Sequence, residues 1–230
     1  MKPVNFDEDY IALMAEMKQR IDEPENERLF ISDGVMQIDE YFSKEIRLAW
    51  IIKEAYEEKD GTGGGWSYFD LYDKANFDIT NHSLFRKIIK TSYSIHNDFI
   101  KGENMDEIDF EMKQIIKKVA IINTQKLPAK NYSRTNGKDL KESINKYSDL
   151  LERQLKLINP NVIIFGGTFQ YYKDLLKFED SEIVKGNVKY ISKGDKLYID
   201  AYHPSYWQIS EEEYVNYIAS VVEKWKSNKL

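Results

Sequence analysis

The 230-residue chain contains no cysteine, which excludes disulfides, thiolate zinc sites and cysteine-ligated iron–sulfur clusters and accords with a reducing compartment. Histidine is nearly as scarce: His82, His96 and His203 are the only three, and their separations match no metal-ligand spacing. No stretch is apolar for long enough to form a membrane span, and the acidic start "MKPVNFDEDY" does not read as a secretory signal. Positive charge is also in deficit. With 33 Lys and Arg against 39 Asp and Glu the net charge is -6, so a polyanion must be met by a local basic face. These deficits lead to the expectation of a single-domain, cytoplasmic monomer with no membrane span and no metal or cofactor.

What the chain has is a patterned apolar fraction, 42% of residues with 13% aromatic, enough for one good-sized core. Ile11, Leu13, Met14, Met17 and Ile21 recur at helical spacing before Pro24, so residues 1–44 are expected to form a helical extension on the main body. "RLAWII", "VAII" and "NVIIFGG" are short apolar blocks of the kind buried on both faces of a sheet. Between them lie helical patterns, "NHSLFRKIIKTSYSIHNDFI" capped by Thr80 or Asn81, "DEIDFEMKQIIKK" and "KDLKESINKYSDLLERQLKLI", and after the third block a shorter one, "FQYYKDLLKF". "NVKYIS" and "KLYIDAYHP" pair around Lys193-Gly194-Asp195, and Ser210 caps a closing amphipathic helix. Strands separated by helices imply a mainly parallel sheet covered on both faces, a three-layer α/β/α sandwich.

The polar residues that follow the strands carry the chemistry. Lys53 and Glu54 follow the first block, Asn123 the second, and His203 the last strand. Carboxyl ends of parallel strands share one edge, so a carboxylate, an amide and an imidazole can converge there. A carboxylate activates water, an amide reads a donor and an acceptor together, and an imidazole stabilises a developing anion. Each also has a plainer reading: a solvated loop charge for Glu54, a turn former for Asn123, and a strand-closing turn for His203-Pro204.

"VAIINTQKLPAKNYSR", "LLERQLKLINPNVIIFGGTFQYYKDLL" and "AYHPSYW", in that order, resemble the second half of the uracil-DNA glycosylase superfamily, most nearly its family-four and single-strand-selective branches. The likeness runs from Val119 to Trp207. In the first half the family-four Gly-Glu-Ala-Pro-Gly is matched only by Glu54-Ala55, within Lys53-Glu54-Ala55-Tyr56-Glu57, and Glu57 and Asp60 are nearby alternatives to Glu54. That branch also carries a four-cysteine iron–sulfur cluster, which a chain without cysteine cannot hold.

The resemblance implies hydrolysis of an N-glycosidic bond in DNA after the target nucleotide is flipped out, with DNA, single- or double-stranded, as the partner. Glu54 would orient water or stabilise the sugar cation, Asn123 would bind the base edge, and His203 would donate to the departing base. Ser205 would contact a phosphate. Trp66 is preferred over Tyr68 and Phe69 as the platform for the base, and Tyr206 and Trp207 are candidates for the wedge that replaces it. The run from Lys113 to Lys141 is locally cationic, so Lys126, Lys130 and Arg134 are expected to meet DNA phosphates. The same pattern permits a catalytically inactive DNA-binding member of the fold, or a glycosylase acting on hypermodified phage bases in defence rather than in DNA repair.

Overall fold

The structure, a computed structural model, describes residues 2–55, 57, 61–73, 78–130 and 135–230. Among them run β1 (Gly34–Val35), β2 (Leu48–Ile52), β3 (Ala120–Asn123), β4 (Val162–Gly166), β5 (Lys189–Lys193) and β6 (Lys196–Ala201). They form one six-stranded sheet in the order β1-β3-β2-β4-β6-β5. Its four central members are parallel, and β1 and β5 are antiparallel edges. The helices are α1 (Phe6–Ile21), α2 (Ile38–Ser43), α3 (Tyr68–Asp73), α4 (Ser83–His96), α5 (Phe110–Gln114), α6 (Gly137–Ile158), α7 (Phe169–Tyr172) and α8 (Glu211–Lys226).

Every residue of β2, β3 and β4 is buried, which is why these strands read as unbroken apolar blocks. Alternation along the strand divides them between two cores. Leu48, Trp50 and Ile52 pack with Ile88 and Ile89 of α4 and Val215 and Ile218 of α8. Ala49 and Ile51 face Phe6 of α1, Ile144 and Leu151 of α6 and Phe169 of α7. The one polar atom of Trp50 is satisfied inside the first core, its indole N–H donating to Ser92 Oγ at 3.0 Å. Helices therefore cover both faces of a mostly parallel sheet, an arrangement compatible with a three-layer α/β/α sandwich. No helix among the described residues is long and apolar enough to cross a membrane.

Several boundaries differ from the sequence expectation. Residues up to 44 are not simply a helical extension, because Gly34–Val35 joins the sheet beside β3. A Cβ at Gly34 (φ +123) would collide with the Tyr10 hydroxyl, so α1 docks closely only over glycine. The helix after Thr80 and Asn81 starts later: those residues belong to a 3-10 turn over Ile79–Asn81 whose cap is Asp78, and α4 begins behind His82. α5 stops at Gln114 and continues as 3-10 turns over Ile115–Lys118, where the neighbouring β-branched residues give little support to an α-helix and the chain tightens before β3. Ser210 caps α8 as expected, in a capping box with Glu213.

His96, in the last turn of α4, has its Nε2 buried without a hydrogen-bond partner among the described residues. Burial, reinforced by Lys44, Lys118 and Lys226, lowers its pKa to about 4. A histidine whose folded pKa lies below its unfolded value supports the fold above pH 6.5, and that support is lost as pH falls towards 4. Between pH 7 and pH 5 the loss should amount to about 1 kcal/mol after discounting for partial exposure, or about 2–4 °C in melting temperature. His96→Gln should flatten that part of the pH dependence in a thermal melt, and an unchanged slope would contradict this assignment.

Candidate functional site

In the parallel part of the sheet the strand order reverses at β2: β3 lies on one side of it and β4 on the other. The switch point thus falls between the carboxyl ends of β2 and β4, where open α/β sheets bind ligands. The exits of β2 and β3 stay laced together beyond the sheet, Thr124 N–H donating to Ile52 O at 2.8 Å and Gln125 N–H to Lys53 O at 3.0 Å. Asn123 is paired with Ile52 in the register, so Glu54 leaves the adjacent strand two residues beyond the level of Asn123.

His203 follows the end of β6 (Lys196–Ala201), two strands from β2, and glycines close that gap. A Cβ on Gly166 would stand 2.9 Å from Pro204 Cδ, and one on Gly167 would stand 3.3 Å from His203 Cβ and 3.4 Å from Lys53 Cε. Without those side chains the His203-Pro204-Ser205 turn folds over the end of β4 and reaches Lys53. Gly167 also has φ +72, a left-handed conformation that glycine adopts without steric cost. The double glycine that ends "NVIIFGG" is therefore what brings the imidazole to the switch point.

The hydrogen bonds of His203 fix its tautomer. Nδ1 accepts from Ser205 N–H at 3.3 Å and lies 2.6 Å from Ser205 Oγ. With the backbone N–H aimed at Nδ1, the neutral ring carries its proton on Nε2, leaving that N–H as a donor. Burial and the charge of Lys53 lower the pKa of His203 to about 4. At neutral pH it is an uncharged hydrogen-bond donor.

Asn123 is fully buried. Its backbone N–H donates to Asp33 Oδ2 at 2.7 Å and its Oδ1 accepts from the Tyr68 hydroxyl at 3.3 Å, whereas its Nδ2 has no partner among the described residues. An amide donor left so is costly, on the order of 1–3 kcal/mol, and a ligand carbonyl would relieve that cost. The amide is covered as it stands, so a ligand must open the site to reach it. Glu54 is also buried, 8% exposed.

Several site residues expected from the sequence stand elsewhere. The ring that meets Asn123 is that of Tyr68, not Trp66. The Trp66 indole N–H donates to Glu57 Oε2 at 3.0 Å, and its ring packs edge-on against Tyr68 with centroids 5.6 Å apart. Glu57, an alternative to Glu54, thus serves the glycine loop. Lys126, expected at a phosphate, is only 2% exposed. Its ammonium bonds Asp33 at 2.6 and 2.7 Å and Gln154 Oε1 at 2.8 Å, so no phosphate reaches it. Ser205 is exposed with its hydroxyl against His203. Lys130 is exposed, while Arg134 and Asp60 lie outside the described residues. Much of the cationic run is paired: Lys113 with Asp78, Lys118 with Glu40 and Lys138 with Glu142.

Sequence reasoning missed Asp33 and Gln154. Asp33 accepts from Asn123 N–H, Lys126 and the Gln154 amide, and its carbonyl accepts from Tyr10 Oη at 2.6 Å. It is the anchor behind the Asn123 strand end, yet nothing in "ISDGV" distinguishes it from a turn aspartate. Among the described residues no group of three or more His, Asp or Glu side chains could hold a metal ion. In comparison with known proteins, the chain matches no family model and no curated sequence.

Proposed function

We propose that the protein is a DNA glycosylase of the uracil-DNA glycosylase type, hydrolysing the N-glycosidic bond of a base extruded from DNA. The observation that carries this reading is the pairing of two neutral donors at one sheet edge: the Nδ2 of Asn123, without a partner among the described residues, and the Nε2–H of a His203 held uncharged. Asn123 offers Nδ2 to a base carbonyl and the remaining lone pair of Oδ1 to a ring N–H, the complementary pattern of a pyrimidine edge. His203 donates to the oxygen on which negative charge gathers as the base departs. Because it begins neutral, the hydrogen bond strengthens as the anion forms, which is differential binding of the transition state. Glu54, on the exit of the strand next to that of Asn123, orients water or balances the positive charge that develops on the sugar.

The test is base release. The protein is incubated with single- and double-stranded oligonucleotides carrying uracil, hypoxanthine, hydroxymethyluracil or glycosylated cytosine, and abasic sites are then cleaved with alkali. Strand breaks on at least one substrate, lowered about 10²-fold or more by Glu54→Gln and by Asn123→Ala, are expected. Intact strands on every substrate would reject the reading.

A further inference from the structure

The segment that carries His203 is tied down from two helices. Before the turn, the Tyr214 hydroxyl of α8 donates to Tyr202 O at 2.8 Å. After it, the Lys87 ammonium of α4 donates to Tyr206 O at 2.7 Å and to Ile209 O at 2.8 Å. Within the turn Tyr206 N–H donates to His203 O at 2.8 Å. His203, Pro204 and Ser205 therefore lie between two anchored carbonyls.

Both anchors are buried, Lys87 being 7% and Tyr214 3% exposed. Burial lowers the pKa of Lys87, which makes an ammonium a costly choice where a Leu or Met would pack. Its hydrogen bonds go to main-chain carbonyls, while the carboxylate that acts on it, Glu211, is held by Lys90 at 2.7 Å and by Arg86 at 3.1 Å. A charged donor strengthens both carbonyl bonds. The ammonium also stands 5.0 Å from the centroid of the Tyr214 ring, a cation–π contact that joins the two anchors. Tyr214 in turn stacks on Trp50 of β2, with centroids 6.4 Å apart and planes within 14°. The turn is thus referred to the strand whose exit carries Lys53 and Glu54.

We propose that Lys87 and Tyr214 are positioning residues for His203, holding through its backbone the course by which the imidazole reaches the switch point. Their hydrogen bonds go to the chain on either side of the ring, not to the ring, which bonds Ser205. The low pKa of His203 comes from burial and from Lys53, so a change in it on removal of Lys87 reports the placement of the ring. This deepens the proposed glycosylase function and rests on it for the effect on rate.

Proton–nitrogen correlation NMR of the His203 ring, followed from pH 4 to pH 8, tests the placement without a substrate. Tyr214→Phe, which keeps the ring and removes one hydroxyl, and Lys87→Met should each raise the His203 pKa from about 4 to about 5 or above, as the imidazole gains solvent. Lys90→Met breaks a different tie between α4 and α8, the ion pair with Glu211. It should lower the melting temperature and leave the His203 titration where it is in the parent. Base release by Tyr214→Phe and Lys87→Met should fall about tenfold or more in kcat with KM unchanged. An unmoved titration in Tyr214→Phe or in a folded Lys87→Met overturns the inference, as does an equal shift in Lys90→Met; Tyr214→Phe decides the matter should Lys87→Met not fold. A titration that moves as expected in a protein that releases no base would reject the glycosylase and leave the positioning standing. Base release with an unmoved titration would do the reverse.

Discussion

Lys126→Met should destabilise the protein by about 3–5 kcal/mol, the cost of leaving a buried carboxylate without its counterion. Asp33 is 0% exposed and Lys126 2%, so water cannot replace the lost partner. The pair is well made for its depth. Lys126 has acceptors on Asp33 and Gln154, and Asp33 also accepts from Gln154 Nε2 at 2.9 Å and from Asn123 N–H at 2.7 Å. Burial draws the ammonium's pKa below its ordinary value, while Asp33 pulls it back up. Typical stability is only about 5–15 kcal/mol, so the urea midpoint should fall steeply. Removing both charges, in Asp33→Asn/Lys126→Met, should recover much of the loss, because no naked charge then remains. A single variant as stable as the parent would show that the pair is not the electrostatic anchor behind Asn123.

That anchor marks where the sequence stops being informative. The strands were legible because β2, β3 and β4 are buried on both faces and must be continuously apolar. The strand exits were legible too, since Lys53, Asn123 and His203 each follow an apolar block directly. Lys126 was misread because a lysine three residues past a strand is ordinarily solvated, and only tertiary pairing with Asp33, 93 positions away, reveals that it points inward. β1 has two residues and no periodicity to detect. The different polar partners of Trp66 and Tyr68 were illegible for a similar reason. Both rings follow the glycine loop, and composition alone does not say which one has its polar atom directed at Asn123 and which at Glu57. The glycines of "IIFGG" were read as a strand exit, whereas their further role, letting Pro204 and His203 cross β4, depends on a contact with the end of a different strand.

His203→Ala should lower the rate of base release by about 10²–10³-fold with substrate affinity nearly unchanged, the usual loss when one preorganised donor to a developing anion is removed. The mutant ground state loses little, since the donor acts mainly on the departing base. The pH dependence makes the assignment specific. With the folded pKa near 4, His203 is neutral over the whole range above it, and the rate should hold down to about pH 5 and fall as pH drops through about 4, where Nδ1 becomes protonated and the Ser205 N–H loses its acceptor. A histidine of ordinary pKa would instead begin to titrate near 6.5. Lys53→Gln removes the neighbouring charge that helps to lower this pKa, so its acid limb should move upward, towards 6.5. Ser205→Ala leaves the backbone N–H on Nδ1 and should cost only about tenfold, with the tautomer preserved. Single-turnover release measured from pH 4 to pH 8 on the parent and the three variants separates these outcomes, and an acid limb near 6.5 in the parent would remove the neutral imidazole from the mechanism.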